Sequence, residues 1–151
     1  MRRAFLILLL AFLVAGLAGV FGVRSRTVTR SGGGYTLTIE YAQVTRPGLS
    51  TPWSAKIVRA GGFQGRPVTL AVSQEYLGMF DENGLDPDPT DATTDGEFVI
   101  WTFKPPATDT MVVDFDALLE PAQQWGRGGI ARILEDDRPV VEATFYTWVS
   151  P

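Results

Sequence analysis

The segment between Arg66 and Lys104 has the most uneven charge distribution in the chain, with eight acidic residues and no basic one. Carboxylates at this density repel each other unless a cation compensates. Carboxylate and amide oxygens are the ligands that calcium prefers, and four such side chains surround Gly84. Asp81, Asn83, Asp86 and Asp88 are therefore candidate calcium ligands.

The calcium prediction has an alternative without metal. An EF-hand loop places glycine at its sixth position and glutamate at its twelfth, whereas Gly84 is fourth when counting starts at Asp81. Pro87 and Pro89 shape the backbone of the same segment, and the sequence favours a solvated loop there over a metal site. Apart from calcium, we expect no cofactor.

The residue inventory excludes most catalytic designs. The chain has no histidine and no cysteine, so Ser-His-Asp and Cys-His catalysis and the usual zinc sites are not available to it. Ser54 and Lys56 lie on one predicted strand without a recognised spacing. A pair of carboxylates can hydrolyse a glycoside, and this remains the catalytic alternative. We expect that the protein is not an enzyme.

Two groups of large apolar residues are candidate partner contacts. Alternation in the last predicted strand places Tyr146 and Trp148 on its outward face, where either the N-terminal stem covers them or a partner contacts them, in one version by strand addition. Trp125 is a further anchor in a loop. The second group either forms an exposed patch or folds back to close the end of the fold, and it consists of Tyr76, Met79 and Phe80.

Two-residue alternation dominates the chain beyond its N-terminal run. It predicts strands at residues 35–41, 53–58, 67–73, 98–103, 111–115, 130–134 and 140–149. Seven short strands in this length favour an all-β fold, a seven-stranded β-sandwich of the immunoglobulin or fibronectin type. A small barrel is the alternative.

An uncharged run of twenty residues, Ala4–Val23, follows the basic tip of the chain. Its length predicts a transmembrane helix. The run is either a retained signal anchor or a cleaved signal peptide, whose apolar part is usually about 7 to 15 residues long. The predicted division is a membrane segment at 1–25, a juxtamembrane stem at 26–34 and a sandwich domain at 35–151.

The same run predicts the location and the partners of the domain. We expect a single-pass protein of the cell membrane, contacting lipid through Ala4–Val23, with its C-terminal domain outside the cytoplasm; secretion after cleavage is the alternative. From Arg24 onward the chain has eleven basic and seventeen acidic residues. This excess of acid argues against nucleic acid as a partner.

These observations favour a membrane-anchored, non-catalytic interaction or accessory module. Its expected partner is an envelope or membrane protein. A calcium-stabilised structural or adhesion domain is the alternative function.

Overall fold

The computed structural model describes residues 2–17 and 22–150, except for the side chains of Arg2, Glu82 and Asn83. In this part of the chain, helix α1 precedes ten strands, and the short helix α2 lies between the fourth and fifth of them. The elements are α1 (Arg2–Leu17), β1 (Arg24–Gly32), β2 (Tyr35–Thr45), β3 (Ser50–Arg59), β4 (Val68–Ser73), α2 (Gln74–Leu77), β5 (Phe80–Asp86), β6 (Asp91–Thr94), β7 (Phe98–Phe103), β8 (Thr110–Leu119), β9 (Arg127–Glu135) and β10 (Arg138–Val149).

The strands form one hydrogen-bonded sheet in the order β5-β8-β3-β2-β10-β9-β4-β7-β6, and β1 pairs with β2 beside this path. The two halves meet at a short parallel contact, in which Trp148 of β10 pairs with Val44 of β2. The other neighbouring strands are antiparallel. The sheet is curled, and the inward faces of both halves contribute to one hydrophobic core.

Aromatic rings connect the halves inside this core. Tyr41 of β2 and Phe145 of β10 lie with their ring centroids 5.2 Å apart. Phe145 also meets the edge of Tyr76 from α2 at 4.9 Å, and Tyr76 in turn meets Phe80 at 5.3 Å. Edge-to-face pairs of this kind add stability beyond the area that they bury. Helix α2 therefore closes the core beside β10.

The predicted seven-stranded sandwich with a transmembrane helix is wrong. The chain is mostly β, but its described residues form ten strands connected in one sheet. The acidic segment that sequence patterns assign to a loop contributes β5 and β6, and most of the predicted stem belongs to β1. These strands pair at the periphery of the sheet, where apolar alternation is weak because one neighbour is missing.

The predicted membrane helix is also wrong, and with it the single-pass location. Helix α1 contains 16 residues, so it is about 24 Å long, which is short of the roughly 30 Å of bilayer hydrocarbon. Among the described residues, no helix combines the length and apolar character needed to cross a membrane. Residues 18–21 of the predicted span lie outside the described part. Secretion after cleavage stays a prediction.

Candidate interaction groove

A groove of about 630 Å³ lies between the outer face of β10 and the loop that connects β8 to β9. Among the described residues, those that line it include no charged side chain. We call it the aromatic groove and define it by its main lining residues, Pro47, Pro121, Gln124, Trp125, Tyr146 and Trp148.

The alternation of β10 produces one wall of the groove. Phe145 and Thr147 point into the core, so Tyr146 and Trp148 must point outward. Their ring centroids are 4.8 Å apart, with the ring planes inclined by 57°. Tyr146 is 40 % exposed and Trp148 is 60 % exposed. The N-terminal stem therefore does not cover them.

The loop before β9 produces the opposite wall. Trp125 is 78 % exposed there, and the next residue, Gly126, lies directly against β10. A Cβ atom on Gly126 would be 2.2 Å from the carbonyl oxygen of Thr147, so the backbone approaches β10 this closely only because residue 126 is glycine. The close approach holds Trp125 beside the β10 aromatics.

A buried hydrogen-bond chain supports the groove from the core side. The hydroxyl of Thr147 donates to the carbonyl oxygen of Ala42 at 2.7 Å. Because a hydroxyl has one proton to donate, the 2.9 Å bond between Tyr76 and Thr147 must have the Tyr76 hydroxyl as its donor. Burial raises the pKa of Tyr76 above its ordinary value. Thr147 is thus tied to two elements, directly beneath the outward aromatic pair.

The backbone of β10 is already paired where the groove lies. Tyr146 pairs with Gly128 of β9, and Trp148 pairs with Val44 of β2. Strand addition needs an edge strand with unpaired N–H and C=O groups, and β10 lies between β2 and β9 in the sheet order. Recognition here must use side chains.

The other predicted contact group lies inside the protein. Tyr76, Met79 and Phe80 are all buried in the core. Tyr76 is in α2 and Phe80 begins β5, and both fold inward because their rings fill the space beside Phe145 and Phe115. Of the six predicted contacts, the structure brings together only Trp125, Tyr146 and Trp148.

Two of the predicted calcium ligands, Asp81 and Asp86, lie apart. Asp81 and Asp86 lie at opposite ends of β5 and pair with different residues of β8, Leu118 and Asp114. Asp88 follows outside the strand, and the side chain of Asn83 lies outside the described part. Among the described residues, no three acidic side chains are grouped so that they could hold a metal. Calcium binding stays a prediction.

The sequence matches no known protein family, and no curated protein is significantly similar to it.

One carboxylate with a shifted pKa has a structural explanation. The backbone N–H groups of Phe98 and Glu97 donate to Asp95 at 2.7 Å and 2.9 Å, and these bonds lower the pKa of Asp95. A general acid needs the opposite shift. Asp95 therefore caps the turn between β6 and β7 and is not suited to acid catalysis.

Two residues that shape the groove are not evident from the sequence. Gly126 resembles its neighbours Gly128 and Gly129, and Thr147 resembles the other polar residues of the last strand. Thr147 could have been found from the alternation of the strand, because a residue between two outward-facing aromatics faces inward. A polar residue in that position needs a buried hydrogen-bond partner.

Proposed function

We propose that this protein is a non-catalytic interaction module that binds a protein partner through the aromatic groove. The observation that carries the proposal is the gathering of Trp125, Tyr146 and Trp148 from two separate segments, with both tryptophans mostly exposed and Tyr146 partly exposed. Exposed apolar surface of this kind marks interaction sites. Tryptophan and tyrosine are also the residues most enriched among those that dominate binding energy.

The energetics favour recognition over stability as the role of these rings. Full burial of a large apolar side chain contributes roughly 1.5–3 kcal/mol of stabilising free energy. Because Trp125 and Trp148 are mostly exposed, their rings contribute only a small part of this to the folded state. A partner that covers both rings gains that free energy. Because Gly126 and Thr147 hold the walls in place, little ordering is needed on binding.

The proposed role is accessory and not catalytic. A chain without histidine and cysteine lacks the commonest general base and the thiol nucleophile. The groove itself contributes rings and uncharged polar groups, which suit binding and orientation.

The test is a comparison of partner capture by three forms of the full chain. Wild type, Trp148→Ala and Val112→Ala are used as bait in an extract of the source cells with chemical crosslinking. Val112 is the matched control, because it is an exposed apolar residue of β8 outside the groove. We expect one protein to be captured by wild type and Val112→Ala and to be lost with Trp148→Ala.

The captured protein is then purified and titrated against the same three forms. We expect Trp148→Ala to weaken binding by about 30-fold, the effect of about 2 kcal/mol at an interface hot spot. Equal affinity of all three forms would refute the groove as the binding surface.

A further inference from the structure

The walls of the aromatic groove select the charge of the occupant. Among the described residues, its lining carries no charge, although a fifth of the chain is charged. A charged segment would lose hydration there without gaining an ion pair. The occupant is therefore an uncharged, apolar segment.

The hydrogen-bonding groups of the groove narrow the choice further. The indole N–H groups of Trp125 and Trp148 are donors only, and the Tyr146 hydroxyl and Gln124 amide can donate as well. An α-helix uses its own carbonyl groups and offers few of them to such donors. A β-strand needs a free sheet edge, which β10 does not provide here. An extended segment with solvated carbonyl groups fits both conditions.

We infer that the aromatic groove binds a proline-rich segment of its partner in the polyproline II conformation, an inference that depends on the proposed function. Such a segment has no internal hydrogen bonds, exposes its carbonyl groups and, at proline, has no N–H to satisfy. Grooves lined by aromatic residues are a general mode of recognising it. The rings of Tyr146 and Trp148 are in contact, so together they offer one apolar surface on which a proline ring can pack.

The rigidity of both the proline-rich segment and the groove supports binding in the polyproline II conformation. Proline restricts the segment before it binds, so little conformational entropy is lost. The groove is held by the contact of Gly126 with Thr147 and by the bonds from Thr147 and Tyr76. Because both surfaces are preformed, a small buried area can still give measurable affinity.

The experiment follows the four indole N–H signals of the full chain by NMR. The probes are a synthetic peptide of about ten prolines, a glycine-serine peptide of equal length and an uncharged glucose oligosaccharide. Trp53 and Trp101 are buried and act as internal references. We expect the proline peptide to shift the signals of Trp125 and Trp148 saturably while those of Trp53 and Trp101 stay in place.

Variants connect the signal to the groove. Trp148→Ala is expected to weaken binding of the proline peptide at least tenfold, and Val112→Ala is expected to leave it unchanged. Equal shifts with the glycine-serine peptide, or shifts with the oligosaccharide alone, would overturn the inference.

The two proposals fail separately. If the proline peptide causes no shift but partner capture still depends on Trp148, this inference is wrong and the proposed function stands. If capture does not depend on Trp148, the proposed function is wrong whatever the peptide does.

Discussion

Two aromatic clusters lie on opposite faces of β10 and have opposite roles. The inner cluster, which we define as Tyr76, Phe80 and Phe145, is buried and packs ring against ring. The aromatic groove begins one residue further along the strand, at Tyr146, and its rings face solvent. The same residue types thus stabilise the core on one face and offer a binding surface on the other, because adjacent side chains of a strand point in opposite directions.

The largest expected effect comes from truncating the inner cluster. Phe80→Ala removes a buried ring that contacts both Tyr76 and Phe115, and we expect it to lower the free energy of unfolding by about 3–5 kcal/mol. Urea denaturation measures the change. A loss below about 1 kcal/mol would mean that this ring does not support the core.

Thr147→Val tests the link between the two clusters. Valine has nearly the shape of threonine but neither donates to Ala42 nor accepts from Tyr76. We expect a loss of about 2–4 kcal/mol in the free energy of unfolding, since two buried polar groups lose their partner. The control is Thr144→Val on the exposed face of β10, with an expected change within about 0.5 kcal/mol.

Gly126→Ala tests whether the groove wall depends on close backbone approach. The added Cβ would clash with the carbonyl oxygen of Thr147, so the loop must move, at a cost of about 1–3 kcal/mol. We expect the NMR signal of the Trp125 indole to shift. At Gly128 the nearest atom to an added Cβ is 3.8 Å away, so Gly128→Ala is the matched control and should leave that signal in place.

Tyr76→Phe gives the smallest effect and a specific pH dependence. It removes one hydrogen bond to Thr147, which we expect to lower the free energy of unfolding by about 1 kcal/mol.

Because the folded state raises the pKa of Tyr76, the stability due to its neutral form is complete below about pH 10 and is lost as the pH rises above that value. In Tyr76→Phe, the decrease in stability at alkaline pH should lack the contribution that ionisation of Tyr76 makes in wild type. Parallel pH profiles of wild type and variant would contradict this assignment.

The sequence predicts the central strands well, because both halves of the core bury alternate residues. The strands predicted at 35–41 and 98–103 fall within β2 and β7, and the outward position of Tyr146 and Trp148 follows from the same alternation. The peripheral strands β5 and β6 could not be found in this way, since charged and polar residues dominate their sequence and Pro87 and Pro89 lie between them.

Sequence alone could not separate the two aromatic clusters. Residues 76–80 end a strand pattern, and their burial depends on how α2 turns back onto the core. The groove depends on contacts between distant segments, such as Gly126 with Thr147 and Thr147 with Ala42. Long-range contacts of this kind leave no periodic signal in a single sequence.

The most direct test of the account measures stability and binding in the same variant, Trp148→Ala. We expect its free energy of unfolding to stay within about 1 kcal/mol of wild type, because the ring is largely exposed, while its affinity for the captured partner falls about 30-fold. A large loss of stability with unchanged affinity would contradict the division of roles between the two faces of β10.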